Sequence, residues 1–285
     1  MDLAPFLSCL SSVCFGVALV TARIGLRFID ARSGAAVSIP SATALFALAT
    51  PFMFDVSSFD LGAALWFAVV GLFFPALVTI LTFRSNETLG PTITATVSGT
   101  APLFALPAAA FLVGESVPQK AAIASLAIVV GVGLISWKGG SARGGAVGWA
   151  IVWPIAGAVV RGLAQAAAKA GLLLWPNPFA AGLIGYSVSA ATVIGVNQIS
   201  RSARPRMSKR GFVWFAITGV LNGGAVLLMY GALSIAPVSL VAPIVATYPL
   251  VTAVATALVL REEAISMHIA GGSIVTVLAV IYLVW

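Results

Sequence analysis

Arg161, Gln165 and Lys169 follow one another at intervals of four residues in an otherwise apolar stretch. On a helix that spacing sets them in one stripe along one face. A guanidinium, an amide and an ammonium in line form a cationic, hydrogen-bonding wall. Such a wall suits recognition of a carboxylate, which a guanidinium grips with two parallel donors. A charge in the middle of an apolar span is costly, and such charges usually face a bundle interior or a wet cavity. Two readings of Arg161 stand. The preferred one is a substrate-carboxylate site; the other is a structural charge capping the carbonyls of a broken helix. Lys169 and Arg23 lie nearer helix ends and are expected to snorkel toward the membrane surface.

Repetition marks a second group. The stretch 83–115 recurs 147 residues later as 230–262. Thr100-Ala101-Pro102-Leu103 matches Thr247-Tyr248-Pro249-Leu250, and Ala95, Ala108, Ala110 and Glu115 match Ala242, Ala255, Ala257 and Glu262. In each copy a proline interrupts a run of membrane-spanning length, removing an N–H and disturbing the carbonyl one turn back. In a membrane that backbone must be satisfied by protein or by a water-lined cavity. A single such proline also fits a kink that only shapes helix contacts. A matched pair in corresponding halves points instead to a transporter's central site. Thr100, Pro102, Thr247, Tyr248 and Pro249 at these breaks, with Thr79, Asn222 and Tyr230 on neighbouring helices, therefore join Arg161 and Gln165 as candidate substrate-binding residues. Thr92 and Thr96 read as helix-contact residues, because threonines bond their own backbone one turn back.

The elements that must hold these residues follow from composition. The chain has 285 residues, 60% hydrophobic and 8% charged, with a mean hydropathy of +1.10. Soluble domains carry roughly 25% charged residues, so this is a polytopic membrane protein with the lipid bilayer as a partner. The net charge of +7 resides in short loops that meet headgroups, and is not a nucleic-acid signal. At about 20 apolar residues per span, ten helices are predicted: 4–27, 34–54, 61–83, 91–113, 119–137, 147–173, 179–200, 211–232, 237–260 and 265–285. The glycine-rich segment 138–145 joins two halves, 1–140 and 141–285, and the match of 15–25 with 161–171 extends the repeat to its first helix. Five helices per copy force the copies into opposite orientation. The predicted fold is an all-α membrane protein, with ten transmembrane helices as two inverted five-helix repeats around a central cavity.

Eleven of the 15 Lys and Arg residues fall in odd-numbered loops, five of them in 201–210, and only Lys120 in an even one. By the positive-inside rule the odd loops are cytoplasmic and both termini are not. The start Met1-Asp2-Leu3 lacks a basic signal-peptide region, so the first helix is expected to remain. Cys9 and Cys14 point in different directions on one helix and read as buried free thiols. No Asp or Glu falls mid-span, and His268 begins the last helix as an interfacial residue. Proton-coupled transporters generally relay protons through buried Asp, Glu or His. There is no P-loop, no metal-binding cluster and no nucleophile paired with a base, so neither an enzyme nor a cofactor is expected.

With the duplicated five-helix unit, the repeated Thr-x-Pro-Leu and a glutamate closing the fourth helix of each unit (Gly114-Glu115 and Arg261-Glu262), the chain resembles the drug/metabolite transporter superfamily. The resemblance is to its ten-helix EamA-type branch of bacterial exporters, and it covers essentially the whole chain. Arg261 stands where the family usually has glycine. The resemblance implies a multi-pass protein of the bacterial inner membrane that exports small metabolites, often amino acids, through a cavity between the repeats. Small proton-coupled multidrug members keep a glutamate in the middle of their first helix, and this first helix has none. The expected function is secondary transport, as exporter or facilitator, of small polar metabolites, amino acids above all, by alternating access. A proton-coupled multidrug or metabolite exporter is the alternative within transport. A non-transporting scaffold or receptor is the alternative outside it. The oligomeric state is left open, a monomer included.

Overall fold

In lipid the backbone polar groups must be satisfied within the protein, and only helices, within one segment, and closed barrels, between strands, do this. The computed structural model, which describes residues 3–54, 59–135, 147–199, 208–260 and 267–285, is accordingly helical, with no strand among the described residues. The join at 138–145, most of the basic loop 201–210, Glu262 and the side chain of His268 lie outside what is described.

The first half contains α1 (Leu3–Gly25), α2 (Ala31–Met53), α3 (Leu61–Phe73), α4 (Ala76–Leu89), α5 (Pro91–Ser98), α6 (Pro102–Val113) and α7 (Gln119–Ile135). After it come α8 (Val147–Ala150), α9 (Val152–Leu174), α10 (Pro178–Ile199), α11 (Lys209–Ile235), α12 (Val238–Val245), α13 (Tyr248–Ala255) with a π-helical extension Thr256–Leu260, and α14 (Met267–Val284). Among the described residues seven helices or broken helix runs are long and apolar enough to cross a membrane, and α7 and α14 contribute shorter apolar helices that pack on each other. The chain is an all-α, multi-pass membrane protein. Each predicted span overlaps a helix or a broken run of helices among the described residues.

Several boundaries differ from the sequence reading, among them the end of α11, which runs to Ile235 rather than 232. The expected helix 61–83 is broken at Pro75, which follows a cis bond and lacks an N–H to continue the ladder. Its second part runs to Leu89, through residues first read as a loop. Nothing in 84–89 stops a helix; the stop is Gly90, at φ 83, followed by Pro91. The second helix starts at Ala31 rather than 34, because the Asp30 carboxylate accepts the N–H groups of Arg32 (2.9 Å) and Ser33 (3.0 Å) as an N-cap. Partial burial alone would push the Asp30 carboxyl up. The hydrogen bonds from the Ser33 hydroxyl and the Ser33 and Arg32 N–H groups outweigh it and hold the group below the usual carboxylate range. The thiols are free, but Cys9 is exposed, and Cys14, packed against the edge of the core, is only half-buried.

The repeated prolines do break their spans. Pro102 opens α6 and Pro249 is the second residue of α13. Thr100 and Thr247 each turn a hydroxyl back on the carbonyl three residues earlier, Val97 (2.7 Å) and Ile244 (2.8 Å). The breaks are gripped crosswise. A Cβ on Gly16 of α1 would meet the Tyr248 carbonyl at 2.9 Å and Val251 at 2.6 Å; one on Gly162 of α9 would meet the Ala101 carbonyl at 2.6 Å and Phe104 at 2.8 Å. Tyr248 and Val251 are the repeat counterparts of Ala101 and Phe104, 147 residues on. The first helix of one half thus lies backbone-close against the broken helix of the other, and only glycine permits that approach.

Candidate functional site

Between the crossed helices lies Arg161, only 7% exposed. Its guanidinium carbon stands 5.0 Å from the ring centroid of Phe15 and 5.4 Å from that of Tyr248. The contacts are favourable, because a cation over a ring face meets the negative side of its quadrupole. They do not satisfy its donors: Nε and Nη1 are buried without a hydrogen-bond partner. Thr82 Oγ1 on α4 and Gln165 Oε1 on α9 are likewise buried without a hydrogen-bond partner. Native interiors satisfy almost all such groups. Several of the exceptions gather at Arg161, which makes this the candidate site.

Two adjoining cavities of ≈ 20 and ≈ 30 Å³ open at Arg161. Phe15, Thr82, Phe83, Arg161 and Asn222 line both; Tyr248 lines the first, and Phe74, Pro75, Thr79, Tyr186 and Val226 the second. A water needs about 10–15 Å³ of such space, so each cavity admits a water or two and no metabolite. This is a closed arrangement, and a ligand enters only if the helices part. The lining residues include repeat pairs: Phe15 with Arg161, Pro75 with Asn222, Thr79 with Val226. The cavities therefore sit where the two copies of the repeat meet.

Of the residues picked from sequence, Arg161, Asn222, Tyr248 and Thr79 come together at these cavities. Gln165 is buried one turn along α9, its Nε2 3.5 Å from the Met229 sulfur, and Tyr230 is buried on α11; neither lines them. Thr100 and Thr247 spend their hydroxyls on the breaks, Thr247 also meeting the Ser12 hydroxyl at 2.9 Å. Pro249 lies against Gly99, break upon break. Pro102 faces away, into an apolar groove of ≈ 360 Å³ between α6 and α7. Sequence reasoning did not select Phe15, Thr82, Phe83 or Tyr186. A signal existed for Phe15, which the repeat register sets opposite Arg161.

Above and below the cavities, charged side chains hold the helix ends. Lys169 was expected to snorkel. Instead it is 8% exposed, and its Nζ donates to the carbonyls of Leu233 (2.8 Å) and Ala236 (3.0 Å) at the end of α11. Those carbonyls have no helical partner and carry the negative end of the helix dipole, so a buried ammonium finds its counter-charge there. Arg23, the repeat counterpart of Lys169, donates to Asn86 (2.9 Å) and Glu87 (3.3 Å) carbonyls at the end of α4. Asn86 is the counterpart of Leu233. Glu115 accepts from the N–H of Val238 with both oxygens (3.0 and 2.9 Å) and from Ser239 (3.4 Å), capping the start of α12. The motif glutamate thus ties the end of α6 to the α11–α12 junction, where its charge attracts that of Lys169. Among the described residues no three His, Cys, Asp or Glu come together to hold a metal ion.

Comparison with known proteins bears on the whole chain. A search of curated proteins finds no match. Twenty-seven chains of solved structures match. One, described only as "Crystal structure of protein", superposes with a TM-score of 0.74 at 14% identity, over 98% of this chain and 95% of its own. At that identity the likeness is one of fold. The model of the EamA-like transporter family matches twice, over residues 3–137 and 147–285. The chain belongs to the EamA-like transporter family.

Proposed function

We propose that this protein is a secondary transporter of small polar metabolites bearing a carboxylate, amino acids above all, working by alternating access. The observation that carries the reading is Arg161: a buried guanidinium between the repeats, with two donors open beside a cavity. A substrate carboxylate is the anion that satisfies it with paired hydrogen bonds. Asn222, Thr79 and Thr82 supply oxygens for an ammonium, and Phe15 and Tyr248 supply ring faces. Residues 1–140 and 141–285 act as the two inverted halves that rock about this site. The protein resides in a bacterial inner membrane and acts as an exporter or facilitator.

Counterflow in liposomes tests the reading. Labelled amino acid is expected to accumulate in vesicles preloaded with the unlabelled compound, and no amino acid in a panel doing so would sink it. Counterflow is expected to persist without a pH gradient, because no carboxylate among the described residues lines the cavities; collapse on dissipating the gradient would instead indicate proton coupling. Orientation is tested apart. Cysteines placed within 201–210 are expected to resist an impermeant thiol reagent outside intact cells, and labelling there with protection near Trp285 would reverse it.

A further inference from the structure

A second, larger cavity of ≈ 320 Å³ opens where α4 ends and α9 begins, lined by Asp30, Arg32, Arg84, Glu87, Thr88 and Trp153 among others. That volume falls in the range of small-molecule sites, roughly 300–1,000 Å³. Two of its four charges are already engaged. Asp30 caps α2 and bonds the Ser33 hydroxyl, and Arg32 donates to the Val196 carbonyl at 3.4 Å. Arg84 and Glu87 are different. The Arg84 guanidinium lies over the Trp153 ring, 5.5 Å from its centroid, and donates no hydrogen bond among the described residues. Glu87 stands three residues on, on the same face of α4, in a last turn whose backbone Arg23 pins. Opposite charges at that spacing commonly close on each other. Here they make no ion pair, and both border the same space.

The cavity shares helices with the central site. α4 carries Thr82 and Phe83, and α9 carries Arg161, all lining the central cavities. From Trp153 to Arg161 is eight residues, about 12 Å of helix rise. Phe83, buried against Phe215 with ring centroids 5.1 Å apart, adjoins Arg84 in the chain and borders the central cavity. Among the described residues the central cavities are lined by a cation and by no carboxylate, so an ammonium meets no opposite charge from them there. The outer cavity offers both signs.

We propose that this cavity is a vestibular docking site for a zwitterionic α-amino acid, its carboxylate on Arg84 and its ammonium on Glu87, ahead of transfer past Phe83 to Arg161. The proposal rests on the amino-acid reading of the central site. A substrate anion or a lipid phosphate could supply the charge that Arg84 meets, and the test separates them. Both side chains are exposed, so substitution there leaves folding intact.

The experiment measures counterflow of labelled leucine and labelled N-acetylleucine into liposomes, in phosphatidylcholine alone and with added phosphatidylglycerol. Arg84→Gln is expected to raise the half-saturating concentration of both compounds about 10-fold, the lower end for loss of a charged hydrogen bond. Glu87→Gln is expected to raise that of leucine alone, since N-acetylleucine has no ammonium. Maximal rates are expected to hold. Unchanged half-saturation in both variants overturns the site, as does an equal rise for N-acetylleucine in Glu87→Gln. An Arg84→Gln effect that vanishes in phosphatidylcholine alone assigns the guanidinium to a lipid headgroup and also overturns it. If the unsubstituted protein carries neither compound, the amino-acid reading itself fails and the vestibule falls with it.

Discussion

Arg161→Ala is expected to lower affinity for a carboxylate substrate by roughly 10–150-fold, the equivalent of one charged hydrogen bond of about 1.5–3 kcal/mol. Arg161→Lys is expected to fall between, keeping the charge but losing the planar fork. The discriminating readout is stability. A buried charge that held the fold together would be costly to remove, by about 3–5 kcal/mol where a paired charge is left behind. Arg161 leaves no opposite charge behind, and two of its nitrogens have no partner. Its removal is therefore expected to leave the melting temperature of the detergent-purified protein unchanged or higher. Binding sites commonly sacrifice stability in this way. A large drop in melting temperature with unchanged affinity would make Arg161 structural.

Lys169→Met is expected to do the reverse. It removes two hydrogen bonds to the end of α11, leaves those carbonyls buried without partners, and takes away the cation beside Glu115. A lost charged hydrogen bond costs about 1.5–3 kcal/mol, so the melting temperature is expected to fall by several degrees. Glu115→Gln can still accept the Val238 N–H but loses its charge at the start of α12. It is expected to cost less, on the order of 0.3–1 kcal/mol. In both variants the α11–α12 junction is freed from α6 or α9. A probe cysteine at Asn222 is then expected to react faster with a thiol reagent applied on that face alone. Wild-type stability in Lys169→Met would show that its capping bonds contribute nothing.

The contrast between these two cations shows what was legible beforehand. Arg161 stood out because a guanidinium deep in an apolar run has few explanations, and the duplicated Thr-x-Pro-Leu located the breaks correctly. Lys169 lies on the same stripe, yet its position near a helix end favoured snorkelling. Its true partners are carbonyls 64 and 67 residues away in the chain, which no local pattern announces. Thr100 and Thr247 were sensible candidates by position. Their hydroxyls instead repair the breaks that made them conspicuous. Phe15 was hidden for the opposite reason: in an apolar span a phenylalanine that lines a cavity is compositionally identical to one that faces lipid. The break at Pro75 and the helical run through 84–89 show how one proline and one glycine decide boundaries that hydropathy alone places wrongly. The asymmetry of the repeat was also readable: Asn222 replaces Pro75, Arg161 replaces Phe15 and Val226 replaces Thr79, so the two halves line the cavities with different groups.

The most direct measurement is a cycle between one protein group and one substrate group. Half-saturating concentrations are taken for leucine and leucinamide, which differ at the carboxylate, as competitors of counterflow in the unsubstituted protein and in Arg161→Ala. If the guanidinium binds the carboxylate, the substitution weakens leucine about 10-fold or more and leaves leucinamide unchanged, so the preference for the acid disappears. Equal weakening of both compounds, or of neither, contradicts a carboxylate site at Arg161.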